Sequence, residues 1–234
     1  MFFHEKIKSI KRGDNVLEVG PGGTPHSKAN VFLDLDPKLF SSKEEAEWQR
    51  GKAEPLKTDK PIVYYDGKKF PFKDNEFDYV IATHVLEHVD DVDEFLSEVF
   101  RVGKMGYIEY PTIYYDFIYD IPVHVNFLKK NDDTIFWMKK SASGIQKFQP
   151  VQRIFQDSSA LGYTDMIDDL IDIMMEGFEW RKPLKNKKTS DINDLVWDKH
   201  SLKPKTVPIH TLREHLSTTA HFYANRLSPK SRGK

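Results

Sequence analysis

The stretch from Asn15 to Pro37, NVLEVGPGGTPHSKANVFLDLDP, constrains the fold more than any other part of the chain. An apolar run, Val16-Leu17-Glu18-Val19, stops at Gly20-Pro21-Gly22-Gly23, and a second run, Val31-Phe32-Leu33, ends in Asp34-Leu35-Asp36. A β-branched run that halts at glycines reads as a buried parallel strand entering a tight turn. Glycine lets backbone approach a ligand closely and turn its N–H groups toward it. Open α/β sheets bind ligands beyond the carboxyl ends of their strands, so Asp34 stands where a ribose would be held.

Composition narrows the classes. The 234 residues suffice for one domain with an appendage, and the net charge of −1 points to neither DNA nor a membrane surface. The absence of cysteine excludes disulfides, thiolate metal sites and a cysteine nucleophile, and agrees with a cytoplasmic protein. No apolar run is long enough for a membrane span, and the charged N-terminus does not read as a signal peptide.

Along the chain, Phe3, Ile7 and Ile10 share a helical face and predict a short N-terminal helix. The link from Gly20 to Asn30 contains Pro21 and Pro25 and leaves room only for a turn, where a parallel crossover usually holds a helix. His26 in this link faces either the site or solvent. Ser42 with Glu44, Glu45 and Glu47 reads as a helix start. Strands are expected at 61–65, 77–82 and 106–111. A helix from Val85 to Phe100 would turn Val85, Leu86, Val89, Val92, Leu96 and Val99 inward. Two β-rich runs around Asn131-Asp132-Asp133 read as a hairpin. Phe178-Glu179-Trp180 is a candidate last strand after a helical face of Ile167, Leu170, Ile171 and Met174, and residues 209 to 226 a candidate final helix.

The ordered motifs resemble class I S-adenosylmethionine (SAM) methyltransferases, in particular the type 11 group. The match is carried by Glu18-Val19-Gly20-Pro21-Gly22, Asp34, Asp66, Phe70-Pro71-Phe72, Phe77-Asp78 and Leu86-Glu87-His88. It covers roughly residues 13 to 140, and the short first crossover departs from the family's full helix. The resemblance implies a Rossmann-like α/β fold: a mostly parallel, seven-stranded-type sheet with an antiparallel last strand, helices on both faces and extra C-terminal helices. Residues 1–181 would form the methyltransferase domain. Residues 182–234 would be a basic loop, a helix and a disordered tail.

The same resemblance assigns cofactor roles. Glu18 would serve the ammonium end of SAM, and Gly20, Pro21 and Gly22 the methionine part. Asp34, with Leu35 beside it, would take the ribose, Asp36 being the second choice. Asp66 and Gly67 would lie by the adenine, and Thr83 and His84 by the cofactor's centre. His124 is the first choice for a general base, since a neutral imidazole can take a hydroxyl proton near neutral pH; a hydrogen-bonded hairpin histidine is the other reading. His88 is the second catalytic candidate, the other reading being that Glu87 and His88 orient the loop or the acceptor.

His84, Glu87 and His88 have i, i+3, i+4 spacing and, with His124, could hold a divalent metal if a helix began at His84. This resembles the glutamate-x-x-glutamate-histidine site of small-RNA 2′-O-methyltransferases, with His84 in place of the first glutamate; no metal is expected. Tyr110, Tyr114, Tyr115, Phe117 and Tyr119 are read mostly as core, with stacking on a flat acceptor as the alternative. Lys182, Lys185, Lys187 and Lys188 are read as a solvated loop, with phosphate binding as the alternative. The expected reaction is O-methylation of a sugar or glycan hydroxyl, because the compressed first loop and histidine hairpin resemble surface-glycan methyltransferases. N- or C-methylation of a small molecule and a non-catalytic scaffold are the alternatives.

Overall fold

The computed structural model describes residues 1–39, 56–160, 167 and 170–197. The helix start at Ser42 and the final helix at 209–226 lie outside the described residues.

The apolar runs become strands β1 (Val16–Val19), β2 (Val31–Leu35), β3 (Ile62–Tyr65), β4 (Tyr79–Thr83) and β5 (Gly106–Pro111). β6 (Asn126–Asn131) and β7 (Thr134–Lys139) form the hairpin, and β8 (Met175–Trp180) returns to the main sheet. That sheet has the order β3-β2-β1-β4-β5-β8, with every neighbour parallel except β8, which runs antiparallel to β5. The fold is therefore Rossmann-like, with six strands in this sheet among the described residues rather than the seven expected.

β1, β4 and β5 are buried along their whole length, so apart from Glu18, Thr83 and Glu109 their sequences are apolar on both faces rather than alternating. Leu17, Val19, Val80, Ala82 and Ile108 face helix α1 (Val92–Val102). Val16, Tyr79, Ile81 and Tyr107 face Phe3, Ile7 and Met174 on the other side. The link between β1 and β2 contains no helix, as its prolines predict.

Three expectations fail. The N-terminal segment holds only a single 3-10 turn at His4–Lys6. It is fixed instead by distant carboxylates: Glu109 accepts from the N–H groups of Phe2 and Phe3, and Glu179 from those of Lys8 and Ser9. Helix α1 starts at Val92, because Asp91 caps it by accepting from the Glu94 N–H at 2.9 Å. Residues 85–90 are therefore a turn. Finally, Lys185–Lys188 is not a loop but strand β9, parallel to β7. The Lys187 and Lys188 ammonium groups lie 5.3 and 5.1 Å from the ring centres of Phe136 and Trp137, cation–π distances, while the residues stay exposed.

The aromatic segment after β5 folds as helix α2 (Ile113–Tyr119). Tyr110 and Tyr119 are core, Tyr114 and Tyr115 are half-buried, and Phe117 is exposed. Short helices α3 (Lys140–Ser143) and α5 (Ile171–Met174) flank the longer α4 (Gln149–Ala160). Among the described residues no helix is long and apolar enough to cross a membrane.

Candidate active site

The carboxyl ends of β1 and β4, the start of α2 and the entry to the hairpin enclose a cavity of about 400 Å³. Glu18, Gly20, Pro21, Gly22, Thr83, His84, Glu87, His88, Tyr115 and His124 all line it. Asp34, Leu35, Asp66 and Gly67 do not. They lie at the ends of β2 and β3, paired in register through Asp34–Tyr64 and Leu35–Tyr65. Asp34 Oδ1 accepts from the Leu35 N–H at 2.9 Å, and Asp66 Oδ1 accepts from the Lys68 N–H at 3.1 Å.

The first turn is built for glycine at position 20. Its φ is +62°, and a Cβ there would come within 2.7 Å of Val85 Cγ2. Beneath it, Glu18 is buried in β1 and accepts from the His26 N–H at 2.7 Å. Burial raises its pKa to about 7, although that hydrogen bond pulls the other way. His26 thus serves the site through its backbone, while its half-buried ring stacks on His4.

The other wall is a set of histidines and acids. His84, at the end of β4, adopts a positive φ of 57°. Its Nε2 is 3.0 Å from Glu109 Oε1, and its Nδ1 is 3.4 Å from Glu87 Oε1. Burial opposes a charge on His84, but the two carboxylates outweigh it and raise its pKa to about 9. Burial would likewise raise Glu109, yet His84 and the Tyr107 hydroxyl hold it near 2. His88 is pushed below its ordinary value, chiefly by burial.

The hairpin entry packs on the turn after β4. The Glu87 carbonyl accepts from the N–H groups of Val125 and Asn126 at 2.7 and 3.1 Å, and the Asn126 side chain donates to the carbonyls of Leu86 and Val89. This clamp brings His124 beside His88, with ring centres 5.0 Å apart. His124 Nδ1 is 2.8 Å from Asp116 Oδ2, and Lys140 Nζ bridges Asp116 and Asp120 at 3.1 and 2.8 Å.

Of the four residues considered as metal ligands, Glu87, His88 and His124 converge, each offering an atom within 4.8 Å of the others. His84 instead points its Nε2 at Glu109. The helical spacing that suggested the group is absent, and the turn and the hairpin bring the three together. Two residues escaped the sequence reading, Glu109 and Asp116. Glu109 carried a usable signal, because a lone acid inside a buried strand needs partners just as Glu18 does. Asp116 lay within an aromatic run that gave no hint of His124.

Comparison with known proteins finds methyltransferases. Residues 17–108 match the type 11 family model described as a methyltransferase domain. Norajmaline N-methyltransferase of Rauvolfia serpentina is 31% identical over 100 residues, covering 41% of this chain and 34% of that protein. Demethylmenaquinone methyltransferase of Staphylococcus saprophyticus is 28% identical over 112 residues, covering 42% and 47%. The chain thus spans half or less of the length of these curated relatives. A SAM-dependent methyltransferase structure from Aquifex aeolicus aligns at 20% identity with a TM-score of 0.31, covering 44% of this chain and 58% of that one.

Proposed function

We propose that the chain is a SAM-dependent methyltransferase that O-methylates a hydroxyl, with sugar or glycan hydroxyls as the first acceptor class. The observation that carries this reading is one cavity that joins the Glu18–Gly20 turn to the Asp116–His124 pair. Half of that cavity suits the cofactor and half suits an acceptor that must lose a proton.

The residues fit the cofactor. Glu18 is a carboxylate whose pKa burial raises to about 7, and an ammonium group placed beside it would stabilise its charged form. Gly20 and Gly22 leave backbone bare for close approach. Asp34 at the tip of β2 suits two ribose hydroxyls, since a carboxylate offers two acceptor oxygens. Asp66 and Gly67, at the tip of β3, suit the adenine. Thr83 and His84 close the centre. The bound cofactor supplies a sulfonium methyl group that an acceptor oxygen can take by in-line displacement.

The protein's own task is then to orient the acceptor and remove its proton. Asp116 fixes His124 by accepting from Nδ1–H, which leaves Nε2 as the basic nitrogen. His88 stands next to it. Tyr115 offers a ring face for a flat or sugar-like acceptor. The enzyme takes a small-molecule or glycan acceptor, not DNA, and works in the cytoplasm, a setting compatible with its lack of cysteine. Residues 182–234 are an appendage of the 1–181 unit, in keeping with the pairing of β9 on β7.

N- or C-methylation of a small molecule is the second reading, favoured by the names of the two relatives above. Methyl-labelled SAM, offered with panels of sugar, phenol and amine acceptors, separates the two. Transfer to a hydroxyl that is abolished by His124→Ala supports the first reading. Transfer to amines alone, unaffected by His124→Ala, overturns it.

A further inference from the structure

Glu87 is fully buried, and neither of its carboxylate oxygens has a hydrogen-bond partner. The nearest cation is His84, whose Nδ1 lies at ion-pair distance, 3.4 Å, while its Nε2 is engaged by Glu109. Glu87 is thus a fully buried carboxylate held by one long ion-pair contact and by no hydrogen bond of good geometry, an arrangement that a further ligand on its oxygens would relieve.

The two neighbouring imidazoles are arranged to receive the same ligand. His88 Nδ1 is 3.0 Å from the Val123 carbonyl, which can only accept, so the hydrogen is on Nδ1. His124 Nδ1 is 2.8 Å from Asp116 Oδ2, a carboxylate that also accepts. In both neutral rings the lone pair is therefore on Nε2. His88 Nε2 lies 3.8 Å from Glu87 Oε1, too far for a hydrogen bond between them. Fixing a histidine through its outer N–H on a carbonyl or carboxylate is how metal-binding imidazoles are held. The ligand atoms of Glu87, His88 and His124 already lie within 4.8 Å of one another.

We propose that Glu87, His88 and His124 form a binding site for a divalent first-row transition ion. Two imidazole nitrogens and one carboxylate oxygen suit zinc, iron, cobalt or manganese better than the all-oxygen preference of magnesium or calcium. Three protein ligands leave positions open toward the cavity, as in catalytic rather than structural sites. The role of the ion rests on the methyltransferase reading. An acceptor hydroxyl bound to it becomes more acidic and releases its proton to solvent water, leaving its oxygen lone pair for the methyl group. His124 then acts as a ligand instead of a free base, and Asp116 and Val123 are positioning groups.

The test uses the full chain, stripped with chelator and titrated with cobalt(II), zinc(II) and magnesium(II). Cobalt binding is followed by its visible ligand-field absorption, and S-adenosylhomocysteine binding is measured in parallel by calorimetry. One equivalent of cobalt or zinc is expected to bind, with magnesium far weaker. Glu87→Gln and His124→Asn should each weaken it by at least about 100-fold, and Asp116→Asn by about 10- to 100-fold, as loss of a supporting group does. His88→Asn is the second ligand variant if either of these fails to fold. Unchanged S-adenosylhomocysteine affinity in the variants shows that the fold persists. If the wild type binds S-adenosylhomocysteine but no transition ion, the metal site is wrong and the cofactor reading survives. If an ion binds equally well to the Glu87→Gln and His124→Asn variants, the site is also wrong. If the wild type binds ions but not S-adenosylhomocysteine, the site stands and the cofactor reading fails.

Discussion

Replacing Glu18 by glutamine should strengthen the empty protein and weaken cofactor binding. Glu18 titrates near 7 in the folded chain because burial disfavours its charge. A carboxyl group with a raised folded pKa contributes its full stability below the unfolded value. That contribution is lost as pH rises from there through the folded value. Here the window runs from the ordinary 4.5 to about 7. At about 1.36 kcal/mol per pH unit, that interval is worth roughly 3 kcal/mol. Glutamine keeps an acceptor for the His26 N–H but carries no charge to desolvate. At about pH 8 the variant should therefore exceed the wild type by up to roughly 3 kcal/mol, and at about pH 4.5 the two should nearly coincide. For a chain of this length that difference corresponds to about 6–12 °C in Tm. Differential scanning calorimetry across this pH range reads it directly. S-adenosylhomocysteine should reverse the ranking at about pH 8, because its ammonium pairs only with the carboxylate, and the variant should bind it at least about 30-fold more weakly. A glutamine variant that is less stable than the wild type at every pH, or a difference that does not change with pH, would refute the reasoning.

Two further substitutions probe how the walls are built. Gly20→Ala should destabilise by about 2–4 kcal/mol in urea unfolding, from left-handed strain plus the Val85 contact. Part of that cost should disappear when Val85→Ala is added, so a double-mutant cycle with no coupling would contradict the packing account. Asn126→Ala leaves the Leu86 and Val89 carbonyls without a donor and should cost about 2–3 kcal/mol. It should also loosen His124 relative to His88, which histidine ring NMR signals would register.

Much of the sheet was legible because buried parallel strands are continuous apolar runs: β5 was expected and found at 106–111. The hairpin was equally clear from Asn131-Asp132-Asp133, and Asp132 does take a positive φ of 49°. The helix after β4 was misread for a specific reason. Val85, Leu86, Val89 and Val92 keep a helical spacing, but a periodic pattern does not mark where a helix begins. The marker was present as Asp91 with Glu94 three residues on, an N-cap pairing that sets the start at Val92. Strand β9 was invisible because its lysines pair through their backbone, and their ammonium groups meet aromatic rings on a distant strand. The N-terminal segment defeated local reasoning for the opposite reason, since its partners Glu109 and Glu179 are more than 100 residues away. Around the cavity, several lining residues had been singled out, but Glu109, Asp116 and the pairings they make were not legible. Nothing local joins His124 to Asp116 or brings Glu87 between His84 and His88.

Calorimetric titration of the wild type and an Asp34→Ala variant with S-adenosylhomocysteine tests the central claim most directly. The account predicts one binding site in the wild type and its loss in the variant. Absence of binding to the wild type would contradict the methyltransferase assignment and return the chain to a scaffold built on this fold.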